Sequence, residues 1–172
     1  MPFRTIKVAH FVPTGPALVV TASDPEKRLV YEINGEPAAL AYAELIGVPV
    51  AKLGAPIFAV NPLVFEFGGE HYVRSIASAN PDRSLTMFCA IENGMVLNIG
   101  RALDPVETAR AAFRRVRDAI GEPALVIGCD CILRRMEFER SGLLAEMGEL
   151  MQRNRVIGFS TFGEQHDGLH VN

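Results

Sequence analysis

Short runs of apolar residues, separated by Gly, Pro, Asn and Asp, dominate the first hundred positions of the chain. Runs of this length with turn-forming residues between them are typical of β-strands. The compact turns at Gly68-Gly69 and at residues 92–94 indicate antiparallel neighbours, so the second group of strands is predicted to form a meander. The predicted strands are about 3–10, 17–22 and 28–33, followed by about 63–67, 71–77, 85–91 and 95–100.

Two segments have helical features. Pro37 suits the first turn of a helix over residues 36–46, because its missing N–H would be unpaired there, and Gly47 can end that helix. Asp104 is a suitable N-cap, and apolar residues recur after it at helical spacing as far as Gly121. The sequence therefore predicts a second helix between these two residues.

The last third of the chain alternates strand and helix patterns. The continuous apolar run Ala124-Leu-Val-Ile-Gly-Cys129 is typical of an inner strand covered on both faces. A helix near 136–153 leads to a similar run, Val156-Ile-Gly-Phe-Ser160. This order predicts a βαβ unit whose two strands are parallel and whose carboxyl ends meet at one edge of the sheet. The predicted class is α+β, of an α/β type, with a mixed β-sheet, an antiparallel meander, a βαβ unit and about three helices.

Composition limits the domain count and the kinds of partner. A chain of 172 residues with 49% hydrophobic and 22% charged residues has the size and composition of one globular domain, so residues 1–172 are predicted to form a single domain. The Pro- and Gly-containing segment 48–61 is interpreted as a packed connection within it. A net charge of −3 with dispersed basic residues argues against nucleic acid. The absence of an apolar run of about 20 residues argues against a membrane and favours the cytoplasm.

Polar residues follow both strands of the predicted βαβ unit. Asp130, Cys131 and Arg134 follow the first strand, and Gly163 and Glu164 follow the second. Ligands of open α/β sheets bind beyond the carboxyl ends of parallel strands. An arginine can hold a carboxylate by two parallel hydrogen bonds, while the two acidic side chains could hold an ammonium group. The residues predict a site for a small anion or zwitterion; the alternative is an ion pair between Arg134 and Glu164 without a ligand.

Several of these residues lie in strings that resemble a known family. Gly158-Phe-Ser-Thr-Phe-Gly-Glu164, with His170-Val-Asn172 after it, resembles the signature that closes FIST C-terminal domains. Cys131-Ile-Leu-Arg134 resembles the Cys-x-x-Arg of that family. Tyr31-Glu-Ile-Asn-Gly-Glu-Pro37 with Tyr42, and Tyr72-Val-Arg74, are similar to its upstream motifs. The resemblance covers nearly the whole chain and only the C-terminal half of the family's two-part arrangement.

The resemblance implies a small-ligand-binding sensory domain in intracellular signal transduction. Amino acids are proposed ligands in the family, and some members sense nitric oxide through haem. An N-terminal FIST domain or a signalling protein is the implied partner. The candidate ligand-binding set is Arg134, Glu164, Cys131, Arg74, Asp130, Gly163 and Asn172.

A bound metal or haem would give a different kind of sensor. Cys129 and Cys131 with His166 and His170 supply four zinc-type ligands, but cysteines one residue apart in a strand tend to point to opposite faces. The candidate haem ligands, none within an attachment motif, are His10, His71, His166 and His170. We therefore expect no metal and no cofactor.

Catalysis and protein interaction are the remaining classes of function. Ser160 lies in a Gly-x-Ser-x-x-Gly string, which is not the nucleophile elbow of hydrolases, and Cys131 is a candidate nucleophile near Arg134. No phosphate-binding glycine loop is present. We expect that the protein is not an enzyme. If the protein is an interaction module instead, the apolar segment 48–61 is a partner-binding face rather than core.

Overall fold

The computed structural model of the chain describes residues 3–166 and 168–171, which divide into two compact units. Phe11–Ala102 form one, here called the sheet unit. Residues 3–10 and the described residues from Leu103 onward form the other, here called the crossover unit. Two compact units can belong to one domain, so the assignment of residues 1–172 to a single domain stays a prediction.

The sheet unit is built on an antiparallel sheet in the spatial order β5-β4-β8-β1-β2-β7-β6, with the short strand β3 paired to β2. The long strand β1 lies centrally because it pairs with β8 along one part and with β2 along another, with register shifts that bend it. The strands are β1 (Phe11–Asp24), β2 (Leu29–Ile33), β3 (Glu36–Pro37), β4 (Leu63–Phe67), β5 (Glu70–Arg74), β6 (Ile76–Ala79), β7 (Leu85–Met87) and β8 (Val96–Ala102).

The predicted meander forms only as two separate hairpins. β4 and β5 pair through Gly68 and Gly69, whose positive φ angles of 61° and 78° suit a two-residue hairpin turn. β6 pairs with β7, but β5 and β6 lie at opposite ends of the strand order, and β8 pairs with β1 and β4. The meander is therefore discontinuous. Residues 3–10 were predicted as a strand but contain none.

Helices α1 (Ala38–Leu45) and α2 (Ala55–Val60), with a 3₁₀ turn at Val50–Lys52 between them, complete the sheet unit. Tyr42 of α1 is fully buried, its ring lies 5.9 Å from that of Phe58, and its hydroxyl donates to the Asn61 carbonyl oxygen at 2.7 Å. These contacts tie the segment after α1 to the core. Within segment 48–61, Phe58 is buried and the other residues are partly or fully exposed.

The crossover unit begins with helix α3 (Pro105–Ile120), whose first turn is capped by the Asp104 carboxylate accepting from the Val106 and Glu107 amides at 2.9 Å each. Strand β9 (Val126–Cys131) and strand β10 (Val156–Thr161) pair in parallel over six residues each. This confirms the predicted parallel pair. Between them are two helices, α4 (Ile132–Ser141) and α5 (Leu144–Arg153), followed after β10 by β11 (Gln165–His166) and β12 (Leu169–His170).

The single helix predicted at 136–153 is interrupted at Gly142, which adopts a left-handed conformation with φ 72° and ends α4. The α+β class is confirmed, with five α-helices in the described residues rather than about three. The two parallel strands do not join a mixed sheet. Among the described residues β9 pairs with β10 alone, so the two strands form a sheet of their own and β9 is not an inner strand. Alternate apolar side chains along β9 are also exposed.

Helices α3, α4 and α5 supply the small core of the crossover unit. Its buried members are Val106, Ala109, Phe113, Phe138, Met147 and Leu150. Val126 and Val156, the first residues of β9 and β10, pack against this core and fix one face of the parallel pair. Within the described ranges, no helix has the length and apolar character needed to cross a membrane.

Candidate functional site

The carboxyl ends of β9 and β10 bring most of the predicted site residues to one edge. Asp130 lies opposite Ser160, and Cys131 lies opposite Thr161, in the parallel register. Helix α4 starts directly after Cys131, so Arg134 lies in its first turn. Glu164 follows three residues after the end of β10. The tight connections after both strands thus gather acidic and basic side chains from two parts of the sequence.

Arg134 is held in place through one end of its guanidinium group. Its Nη1 lies 3.2 Å from Asp130 Oδ1 and donates to the Val8 carbonyl oxygen at 3.2 Å. Its Cζ lies 5.4 Å from the centre of the Phe138 ring, a distance suited to a cation–π contact. Three contacts of different kinds therefore fix the plane of the guanidinium group.

The other edge of the same guanidinium group has no partner among the described residues. Arg134 Nε and Nη2 are buried and make no hydrogen bond there, and the side chain as a whole is 18% exposed. These two atoms form the side of the guanidinium that binds a carboxylate through two parallel hydrogen bonds. Buried donors left unpaired cost free energy, about 1–3 kcal/mol each. The arrangement suits an anion that binds both donors.

Two carboxylates accompany the arginine. Burial raises the pKa of Asp130, the negative charge of Glu164 raises it further, and the charges of Arg134 and His10 oppose these effects. Glu164 accepts a hydrogen bond from the Thr161 hydroxyl, which orients it at the end of β10. The site therefore contains an arginine fixed at one side and two acidic groups close enough to influence each other.

Neither His10 nor Glu137 is among the ligand-binding residues that the sequence predicts, and His10 is a candidate there only for haem. His10 is buried, and its Nε2 lies 3.1 and 3.0 Å from the two carboxylate oxygens of Glu137. Glu137 follows Arg134 by three residues, so the helical spacing of α4 could have identified it. No local signal identifies Val8 and His10, because they precede α4 by more than a hundred residues and their segment was predicted to be a strand.

The other predicted residues have different positions. Cys131 is buried beside Asp130, and Gly163 lies near His170, since a Cβ placed at Gly163 would be 3.3 Å from the His170 Nε2. Arg74 is buried in the sheet unit, where its Cζ lies 5.4 and 5.8 Å from the centres of the Phe65 and Tyr72 rings. Its membership of the site stays a prediction. Asn172 lies outside the described residues.

A zinc site would depend on two cysteines and two histidines. Cys129 is exposed and Cys131 is buried, so their thiols have different surroundings. His166 and His170 lie on the paired strands β11 and β12. In residues 3–166 and 168–171, no three His, Cys, Asp or Glu side chains are grouped so as to hold a metal ion. The expectation that the protein carries no metal stays a prediction.

The model of the FIST C domain family matches residues 38–167. The chain belongs to the FIST C domain family. This is a sensory, signal-transducing family of domains. No curated protein matches the chain, and no solved structure does. The match includes Tyr72-Val-Arg74, Cys131-Ile-Leu-Arg134 and Gly158-Phe-Ser-Thr-Phe-Gly-Glu164, but it excludes residues 31–37 and 170–172.

In this FIST C domain, the close approach of the two parallel strands requires glycine at position 158 of the closing motif. Gly158 lies opposite Gly128, and a Cβ at position 158 would clash with the Gly128 carbonyl oxygen. Only glycine allows β10 to approach β9 this closely. The glycine therefore holds together the strand pair whose ends carry Asp130 and Glu164.

Proposed function

We propose that this FIST C domain is a cytoplasmic sensory domain that binds a small anion or zwitterion, such as an amino acid or a related compound, in intracellular signal transduction. The observation that carries the proposal is the buried and unpaired Nε and Nη2 edge of Arg134. A ligand carboxylate would accept a hydrogen bond from each atom and remove the cost of leaving them unpaired.

The acidic side chains support a ligand that also has a positive charge. Asp130 and Glu164 influence each other electrostatically, and the raised pKa of Asp130 reflects burial together with this repulsion. An ammonium group between them would stabilise both charged forms. The position of Arg134 beside Asp130, at 3.2 Å, makes one amino-acid-sized molecule with neighbouring charges of opposite sign the best chemical match.

We also propose that the domain senses its ligand without converting it, and that it needs no cofactor. The side chains of the site are suited to holding fixed charges, with the guanidinium fastened by Asp130, Val8 and Phe138. Ligand occupancy would be reported to an N-terminal FIST domain or to a signalling protein, which we propose as the partner. Pairing of the Arg134 Nε and Nη2 donors on binding supplies the difference between the empty and occupied states.

Calorimetry of the wild type against a panel of amino acids and organic acids tests this function. A charged hydrogen bond contributes about 1.5–3 kcal/mol, so Arg134→Ala should weaken binding by roughly ten- to more than a hundredfold. Arg134→Lys should restore only part of the affinity, because lysine keeps the charge but loses the planar pair of donors. The matched control is Arg135→Ala, since Arg135 is the exposed neighbour that pairs with Glu139 at 3.1 Å.

Folding must be checked beside affinity, because Arg134 also contacts Asp130 and Phe138. Arg135→Ala should bind like the wild type. If a ligand is found and Arg134→Ala binds it with unchanged affinity while melting normally, Arg134 is only a structural residue and the site assignment is wrong. If no member of the panel binds the wild type, the proposed ligand class is wrong.

A further inference from the structure

One face of the parallel β9–β10 pair is apolar and exposed. Side chains alternate between the two faces of a strand, so residues 125, 127 and 129 share a face with residues 157 and 159. Along this face Leu125 is 51% exposed, Ile127 72%, Ile157 58% and Phe159 64%, and Cys129 is exposed among them. We call these five residues the open sheet face. Helix-packed Val126 and Val156 lie on the opposite face.

An open face of this kind is unusual for parallel strands. Parallel sheets occur almost only with both faces covered, because the crossover helices cover one face and other elements cover the second. Here the register places Ile127 beside Ile157 and Cys129 beside Phe159, which joins the side chains of both strands into one continuous apolar surface. Isolated exposed apolar residues need no explanation, but a contiguous exposed set marks an interaction surface.

The size and charge of the open sheet face favour a second copy of the same chain. Its five side chains expose several hundred Å² together, a large part of the roughly 800 Å² per partner of a standard interface. None of the five is charged. A face without charges is self-complementary, because two copies related by a twofold axis bring apolar groups against apolar groups and bury no unpaired charge.

We propose that the open sheet face is a homodimer interface, in which the β9–β10 pairs of two copies stack face to face. Two sheets packed in this way lie about 10 Å apart and interdigitate their side chains. Stacking would cover the second face of both parallel sheets. The inference rests on the exposed residues of β9 and β10 and is independent of the ligand proposed for Arg134.

Sedimentation of the full chain over a wide range of concentration tests the proposal. The wild type should form a dimer. Ile127→Lys should raise the dimer dissociation constant about a hundredfold or more, because twofold symmetry places the change in both copies. The matched control is Val60→Lys: Val60 is 62% exposed, comparable with Ile127, but it lies on α2 outside the face. It should dimerise like the wild type.

The thiol of Cys129 gives a second measurement on the wild type. Of the three cysteines only Cys129 is exposed, so a maleimide should label it first. Labelling should slow as dimer forms at rising protein concentration, and Ile127→Lys should abolish that slowing. A wild type that remains a monomer at every concentration would overturn the proposal, as would a dimer that Ile127→Lys and Val60→Lys affect equally. Association through an added protein, with the chain alone monomeric, would assign the face to a different partner and also overturn it.

Discussion

The sheet unit and the crossover unit differ in the size of the hydrophobic core that each contains. In the described part of the chain, the core of the sheet unit contains sixteen buried residues, whereas that of the crossover unit contains six. The smaller core is accompanied by an exposed apolar sheet face and by a buried arginine with unpaired donors. Features that oppose stability are thus concentrated in the crossover unit, which also carries the candidate site.

A buried arginine occurs in each unit and makes the contrast specific. Arg74 of the sheet unit lies against the Phe65 and Tyr72 rings, and burial lowers its pKa. Arg134 of the crossover unit is fastened at Nη1 and leaves its Nε and Nη2 edge unpaired. Both arginines therefore lie against aromatic rings, and the unpaired Nε and Nη2 donors of Arg134 are the observation that carries the proposed site.

The largest loss of stability is expected from a substitution in the core of the sheet unit. Leu97 is fully buried on β8, so Leu97→Ala should lower the free energy of unfolding by about 2–5 kcal/mol through lost burial and a residual cavity. Leu150→Ala in the smaller core should cost less, because its surroundings can relax further into the space. Urea denaturation measures both. Val96→Ala is the control, since Val96 is half exposed on the same strand; an equal loss for Leu97 and Val96 would contradict the assignment of the core.

A smaller loss of stability is expected from a substitution that forces β9 and β10 of the crossover unit apart. Gly158→Ala places a methyl group against the Gly128 carbonyl oxygen, so β9 and β10 must move apart at a cost of about 1–3 kcal/mol. Hydrogen exchange of the β9 and β10 amides should accelerate, while exchange in the sheet unit should stay unchanged. Gly148→Ala should instead stabilise by about 0.5–1 kcal/mol, because Gly148 lies within α5 with open space beside it. Destabilisation of equal size by both substitutions would contradict the close approach at Gly158.

Local pattern predicted many elements of this fold but not their arrangement, and it also gave a strand at 3–10 that does not form and one helix where α4 and α5 are separate. Asp104 and Gly121 bound α3 as predicted, because capping and helical periodicity act between near neighbours. The strand order of the sheet unit was missed, because bending of β1 lets it pair with both β2 and β8 and no local signal encodes that choice. The apolar run at 124–129 indicated burial on both faces. Apolar character shows that a surface is better buried, but it does not show which element or partner buries it.

The candidate site was predictable where its residues follow the strand ends. Asp130, Arg134 and Glu164 could be brought together because parallel strands end at one edge. The contacts of the Val8 carbonyl and of His10 could not be predicted, because a contact between residues more than a hundred positions apart leaves no periodic pattern in the sequence. Arg74 entered the candidate set through the family resemblance, and it lies in the sheet unit.

The smallest expected effect is on the pH dependence of stability, to which one carboxylate from each unit contributes with opposite sign. Burial raises the pKa of Asp130 above 3.8, whereas hydrogen bonds from the Ser84 hydroxyl and amide lower the pKa of Asp82 below it. Below pH 3.8 Asp130 is protonated in both states; as pH rises toward its folded pKa the unfolded chain loses the proton first, so its contribution to stability falls. Asp82 contributes stability above pH 3.8, and this is lost as pH falls through its folded pKa.

Asparagine at each position should reveal the opposite signs by urea denaturation at stepped pH. Relative to the wild type, Asp130→Asn should gain stability as pH rises above about 4, because it has no charge to bury. Asp82→Asn should instead lose stability relative to the wild type as pH rises toward about 4 from below, the range in which the carboxylate of the wild type ionises in the folded state, because an amide oxygen accepts the Ser84 donors more weakly than a carboxylate. A ligand whose ammonium binds at Asp130 should reduce the difference between Asp130→Asn and the wild type, because it compensates the buried charge. Curves for the two variants that shift in the same direction would show that Asp130 is not destabilised by burial, and the electrostatic contrast between the units would then be wrong.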